Sequence, residues 1–210
     1  MPNLPQRATG RLRYEKLLDA TDQLLSKREA NDISLYDIAE HAKVPTASVY
    51  HFLPSVTAAF VGLAQRYQER ILIMLDKPLN HARLNSWQDV VVIKANAGRQ
   101  FYETHAVARK LFLGTLHIWQ VRQQESRANS LAAKIVARDY KRHFMIHDVE
   151  FLAEKIEIGI GLIDTTWSLS YLLHGCVTDY YVAEANRAYV GYMRNYISEH
   201  VEKRAKPLPQ

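Results

Sequence analysis

The stretch Lys43–Phe52, KVPTASVYHF, decides the fold of this chain. Pro45 opens a short helix, where its missing N–H costs little and its fixed φ suits the first turn. Val49 and Phe52 stand three apart on one face of that helix, and Val44 sits in the turn before it. These three predict an inward face, which leaves Thr46, Ala47, Ser48, Tyr50 and His51 outside. Upstream, SLYDIAEHA carries Ser34 and Asp37 in the S-x-x-D form of a capping box, with Leu35, Ile38, Ala39 and Ala42 as its buried stripe. Two short helices joined by a tight turn, the second polar on its free side, make a helix-turn-helix.

Working outward, a first helix spans about Arg11 to Lys27, with Tyr14, Leu17, Leu18, Thr21, Leu24 and Leu25 on one face. After the second short helix, Leu53-Pro54-Ser55 forces a stop, because the residue before proline is steered out of the α region. Ser55 then caps a longer apolar helix that reaches about Asp76. This arrangement predicts a headpiece over residues 1–56 with a connecting helix to about 76, and a second helical domain over 77–210. Beyond 86, three- and four-residue apolar spacing continues and strand alternation is nearly absent, so the predicted class is all-α. SWQDVVVIKANAGRQFYETH reads as one helix capped at Asn85 or Ser86. The segment from Asn129 to about Glu157 reads as another, broken by IGIGLID. TTWSLSYLLHGCVTDYYV and ANRAYVGYMRNYISEHVEKR read as the last two helices, and AKPLPQ as a frayed tail.

The outer residues of the KVPTASVYHF helix suit duplex DNA. Small side chains let a helix axis approach the floor of a groove about 12 Å wide. Hydroxyls of Thr46 and Ser48 can meet base edges or phosphates, the methyl of Ala47 can touch thymine, and Tyr50 and His51 can donate to phosphate oxygens. Lys43 supplies charge, and the capped helix start at Ser34 offers backbone N–H groups to a phosphate. The predicted DNA-contacting set is therefore Ser34, Lys43, Thr46, Ala47, Ser48, Tyr50 and His51.

The bulk numbers agree without deciding. The chain has 210 residues, 48% hydrophobic and 23% charged, with net charge +5. A basic balance permits a polyanionic partner. Residues 1–56 are neutral in sum, but Arg7, Arg11 and Arg13 form one patch free of acids and Lys43 lies in another. The single cysteine, Cys176, has no partner for an internal disulfide, which fits a reducing compartment. No apolar run of about 18 residues predicts a membrane span. The first residues lack the apolar core of a signal peptide, so a cytoplasmic location is expected. His143 and His147, four apart, share a helical face, but no third ligand stands at a diagnostic spacing, and no metal or other cofactor is expected. No nucleophile and base arrangement or phosphate-cradling glycine loop points to an enzyme. A helical interaction module or enzyme with an idle helix-turn-helix is the alternative reading.

Residues 11–66 resemble the N-terminal headpiece of the TetR family of bacterial transcriptional regulators. LLDATDQLLSKR on the first helix, ISLYDIAEHAKVPTASVYHF through the helix-turn-helix, and the apolar helix that follows carry the resemblance. Three positions depart from the family's pattern. Lys43 stands where a turn glycine is usual, Pro45 replaces a capping Ser or Thr, and LPSVTAAF lacks the family's lysine after Tyr-His-Phe. The resemblance implies a homodimeric regulator, most simply a repressor released from a double-stranded operator by a small-molecule effector. It also implies a C-terminal effector pocket and dimer interface, whose residues cannot be transferred from the family and are read directly. Aromatic and polar residues of the middle helices give the pocket candidates Phe101, Tyr102, Phe112, His117, Trp119, Trp167, Tyr171 and His174. The last two helices give the dimer candidates Tyr180, Tyr181, Tyr189, Tyr192, Met193, Tyr196 and Ile197. Gly175 is expected to allow close approach at a helix crossing, and Cys176 to lie buried mid-helix.

Overall fold

Capping and turn chemistry set the first elements. A computed structural model of the chain describes residues 1–114 and 118–209. Helix α1 spans Ala8–Leu25 and buries Tyr14, Leu17, Leu18, Thr21, Leu24 and Leu25. Helix α2, Leu35–Ala42, packs on α1 and is followed by α3, Thr46–Phe52. Helix α4 runs Val56–Leu75, and the Ser55 hydroxyl accepts from Ala58 N–H at 3.1 Å, capping it as the sequence predicts. Then come α5, Trp87–Thr104; α6, Ala106–Phe112; α7, Trp119–His143; α8, Leu152–His174; and α9, Asp179–Met193. Among the described residues the only extended pairing is an isolated antiparallel bridge, Phe144 with Lys203, so the fold is all-α.

The chain divides into two units. The first comprises Met1–Glu69 and His105–Glu125, the second Arg70–Thr104 and Ser126–Gln210. In the first, Leu17, Leu25, Ile38, Val49, Leu53, Val61 and Leu63 are fully buried. In the second, α8 packs along α9 and α5 against α9, around Trp87, Tyr140, Tyr189 and Met193. The Trp87 and Tyr140 rings meet edge to face at 5.7 Å, and the Tyr140 hydroxyl bonds that of Tyr189 at 3.2 Å. Burial raises the pKa of both phenols. No single described helix is long and apolar enough to cross a membrane.

The structure differs from the sequence reading in the breaks and ends of the last helices. IGIGLID does not break a helix, because α8 runs through it. An internal glycine costs only about 1 kcal/mol relative to alanine. Gly159 recovers that cost by contact, since a Cβ there would lie 2.7 Å from the Tyr189 ring of α9. The real break falls at residues 144–151, between α7 and α8. There residues 202–208, read as the end of the last helix and the start of a frayed tail, bind the end of α7. Arg204 N–H donates to the His143 carbonyl at 2.9 Å, Arg204 Nε to Lys141 at 2.9 Å, and Leu208 N–H to Arg142 at 3.0 Å. These are the carbonyls a helix end leaves unsatisfied.

TTWSLSYLLHGCVTDYYV is likewise not one helix. Gly175 closes α8 in the left-handed region at φ +70°, with its N–H on the Tyr171 carbonyl, which only glycine adopts without strain. Cys176 is consequently exposed in the turn before α9 rather than buried within a helix. Helix α9 also ends earlier than its apolar spacing suggests, because residues beyond Met193 turn back and bring Ser198 to Trp87, whose Nε1–H donates to its carbonyl at 2.9 Å.

Candidate nucleic-acid interface

The helix-turn-helix is held open-faced by its caps and its turn. The Ser34 side chain accepts from Asp37 N–H, and Asp37 Oδ2 accepts from Ser34 N–H at 2.8 Å. The Ser34 hydroxyl hydrogen bond, then the Ser34 backbone N–H and Arg28, pushes the Asp37 pKa from 3.8 down to about 2. Ser34 therefore spends its hydroxyl within the box, and an anionic carboxylate already occupies the start of α2. Lys43 adopts the left-handed conformation, φ 52° and ψ 44°, that turns the chain into α3. Pro45 is the residue before α3, with φ −54°.

On α3, Val49 is 0% and Phe52 7% exposed, and the Phe52 ring meets Tyr14 of α1 at 6.1 Å. Val44 and Leu53 are buried beside them. Thr46, Ala47, Tyr50 and His51 are exposed and Ser48 is half-buried. The polar flank of α3 thus lies outward, as the spacing of Val49 and Phe52 predicts.

Charge in this unit is segregated. Asp19 and Glu15 face Arg66 at 2.6 and 3.4 Å, Asp22 accepts from the Tyr67 hydroxyl at 2.5 Å, Asp37 pairs with Arg28 at 3.0 Å and Glu29 with Lys110 at 2.9 Å. Arg7, Arg11, Arg13 and Lys43 are exposed and have no ion-pair partner among the described residues. A segment neutral in sum therefore presents free positive charge at its N-terminal end and at the turn. Arg66 and Lys110 lie outside residues 1–56, so counting charges over that segment misses their role.

A groove of about 740 Å³ runs beside α3, lined on one side by residues 3–7 and the start of α1 and on the other by Ala47, Ser48, His51 and Phe52. Asn3 ties these residues to α3. Its N–H donates to the Phe52 carbonyl and its Nδ2 to the His51 carbonyl, both at 2.8 Å.

No protein-family model and no curated protein matches the sequence. Solved structures do match it. A TetR-family transcriptional regulator from Streptomyces coelicolor is similar with a TM-score of 0.69 at 20% identity, over 88% of this chain and 99% of that one. A TetR transcriptional regulator from Rhodococcus sp. RHA1 gives 0.67 at 17% identity, over 89% and 98%. RolR in complex with the ligand resorcinol gives 0.61 at 16% identity, over 90% and 97%. The chain has the TetR-family fold.

Within this TetR-family fold the pocket candidates fall in both units. Phe112 and Trp119 belong to the first unit, Phe112 buried and Trp119 70% exposed. His117 lies outside the described residues. In the second unit Phe101, Tyr102 and Trp167 are buried, with the Tyr102 and Trp167 rings edge to face at 6.1 Å. Tyr171 is half-buried and His174 exposed. Trp167 Nε1 is buried with no hydrogen-bond partner among the described residues. Buried donors are rarely left in that state, so it marks a place for a polar group.

The dimer candidates also divide. Tyr189, Met193 and Ile197 are at most 3% exposed and fill the core of their own unit, so they have no surface to offer a second copy. Periodicity places them on one stripe with Tyr192 and Tyr196 but does not say which side of the stripe the chain covers itself. Tyr180 and Tyr196 are exposed, Tyr181 and Tyr192 half-buried. The larger open apolar face is on α8, where Ile158, Leu162, Leu169, Leu172 and Leu173 are exposed by 36–64%. Read as part of one long helix, this stretch shows no outward side. His143 is 1% exposed and stacks on His81, with Nδ1 atoms 2.9 Å apart. Burial and then His81 lower its pKa. No metal-binding cluster occurs among the described residues.

Proposed function

We propose that the chain is a homodimeric, sequence-specific DNA-binding transcriptional regulator, a repressor released from its operator by a small-molecule effector. The observation that carries this reading is α3, whose hydroxyl, phenol and imidazole side chains lie outward beside guanidinium groups that no acid neutralises among the described residues. Residues 1–56 serve as the DNA-binding headpiece, α4 as the connection, and residues 77–210 as the effector-binding and dimerisation domain. Thr46 and Ala47 approach base edges, while Lys43, Ser48, Tyr50 and His51 contact phosphates. Ser34 contributes through its backbone N–H neighbours only, and weakly, because Asp37 holds that position.

Two copies meet through the apolar stripe of α8 and the exposed Tyr180 of α9. A contiguous apolar face of this kind on a folded chain marks an interface, and a self-complementary one closes a two-fold dimer. Paired α3 helices then read half-sites about one DNA turn apart. The effector occupies the region of Tyr102 and Trp167, where the indole N–H awaits an acceptor. The similar structure of RolR with the ligand resorcinol supports a small-molecule effector here. The effector shifts the dimer towards a state that fits the operator poorly, and by linkage DNA weakens effector binding by the same factor.

Footprinting on the DNA that flanks the coding region tests this. A protected site of two related half-sites is expected, lost when cell extract is added as a source of effector. Absence of any protected site would contradict the reading.

A further inference from the structure

We infer that the N-terminal arm and the outer face of α3 form a preshaped seat for one sugar-phosphate strand of duplex DNA, with Asn3 as its positioning residue. This deepens the DNA-binding reading above and rests on it. Residues 1–6 lie outside any helix, and hydrogen bonds through Asn3 hold them. The bonds go to the His51 and Phe52 carbonyls, which the end of α3 leaves unsatisfied, so the arm acts as a cap for that helix. Pro2 and Pro5 fix two φ angles of the arm and lower the entropy lost when it is ordered.

The groove between arm and helix has a sided chemistry. Arg7, Thr9 and Arg13 form one wall and Ser48 and His51 the other, and no acidic side chain lines it. The guanidinium groups of Arg7 and Arg13 are exposed and carry no ion pair among the described residues. A phosphodiester strand satisfies both walls at once. Its phosphates neutralise the arginines and accept from the Ser48 hydroxyl and the His51 imidazole, while its sugars cover Leu4, Pro5 and Phe52. A strand seated there also directs its bases towards Thr46 and Ala47. The arm thereby fixes the register in which α3 meets a groove.

The test uses the full chain and a fluorescein-labelled duplex taken from the footprinted flanking DNA, with a scrambled duplex of equal length beside it. Asn3→Ala should weaken binding to the flanking duplex roughly tenfold at physiological salt, with helical content retained because the residue 3 N–H still reaches the Phe52 carbonyl. Hydroxyl-radical protection should vanish at the sugars under the arm, while guanine methylation interference under α3 persists. A role for Asn3 in helix capping alone would not move those two readouts apart. Arg7→Gln with Arg13→Gln, both on the surface, should reduce the slope of log K against log salt by about 0.9 for each phosphate left without its arginine. Wild-type protein that binds the flanking duplex, together with variants that keep its affinity, slope and sugar footprint, would overturn the seat and leave the DNA-binding reading intact. Wild-type protein that binds neither duplex would overturn both.

Discussion

Lys43 carries a left-handed φ of 52°, which costs a residue with a Cβ about 1–2 kcal/mol. What holds it there is the packing on either side, Ile38 and Ala39 before the turn and Val44 and Val49 after it, all buried. Val49 is the decisive member because it is completely buried in a helix of seven residues. Val49→Asp should destabilise the first unit by several kcal/mol, since a charge there has neither water nor a partner. Circular dichroism melts should show an early transition; a melt identical to wild type would mean that α3 does not face inward through Val49. These residues are legible from spacing alone, because a short helix with so few apolar positions has one way to bury them. The Asn3 hydrogen bonds are not, because a bond across 48 residues leaves no periodic trace.

A buried polar cluster joins elements of the second unit beside its apolar core. Lys94 of α5 and Asp139 of α7 are 6% and 2% exposed and meet at 2.8 Å, with Arg138 on the other carboxylate oxygen at 3.2 Å. The Lys94 ammonium also donates to the Leu75 carbonyl at the end of α4. Removing Lys94 leaves the buried Asp139 carboxylate with Arg138 as its remaining cation, so Lys94→Met should cost about 2–3 kcal/mol, less than for a fully orphaned charge, and adding Asp139→Leu should restore most of it. Denaturant unfolding of the single and double variants checks this; equal loss in both would show that the pair contributes packing rather than charge compensation. The helix breaks are harder to read than the helices. Glycines in IGIGLID resemble a stop, yet Gly159 serves the approach of α9, while the real break at 144–151 depends on pairing with residues 202–208 far along the chain. Local pattern contains no record of either partner.

For the whole molecule, the deciding feature is which apolar surface the chain leaves uncovered. Leu169, Leu172 and Leu173 of α8 are 47–64% exposed, whereas the tyrosine stripe of α9 is partly consumed by the unit's own core. Sequence periodicity finds the α9 stripe but reads the α8 stretch as apolar nearly all round, and it cannot separate a core tryptophan from a ligand-binding one. Leu169→Glu with Leu172→Glu should convert a species of twice 24.2 kDa into the single chain in sedimentation experiments, with helical content retained. An unchanged mass would move the interface elsewhere. The most direct measurement is the affinity of the full chain for the footprinted flanking duplex, compared between wild type and Tyr50→Ala with His51→Ala. Both side chains are exposed, the His51 ring resting edge to face on Phe52 at 4.9 Å, so fold and mass should be retained while binding falls by roughly tenfold or more. Binding equal to wild type would contradict the assignment of the outer face of α3 to DNA.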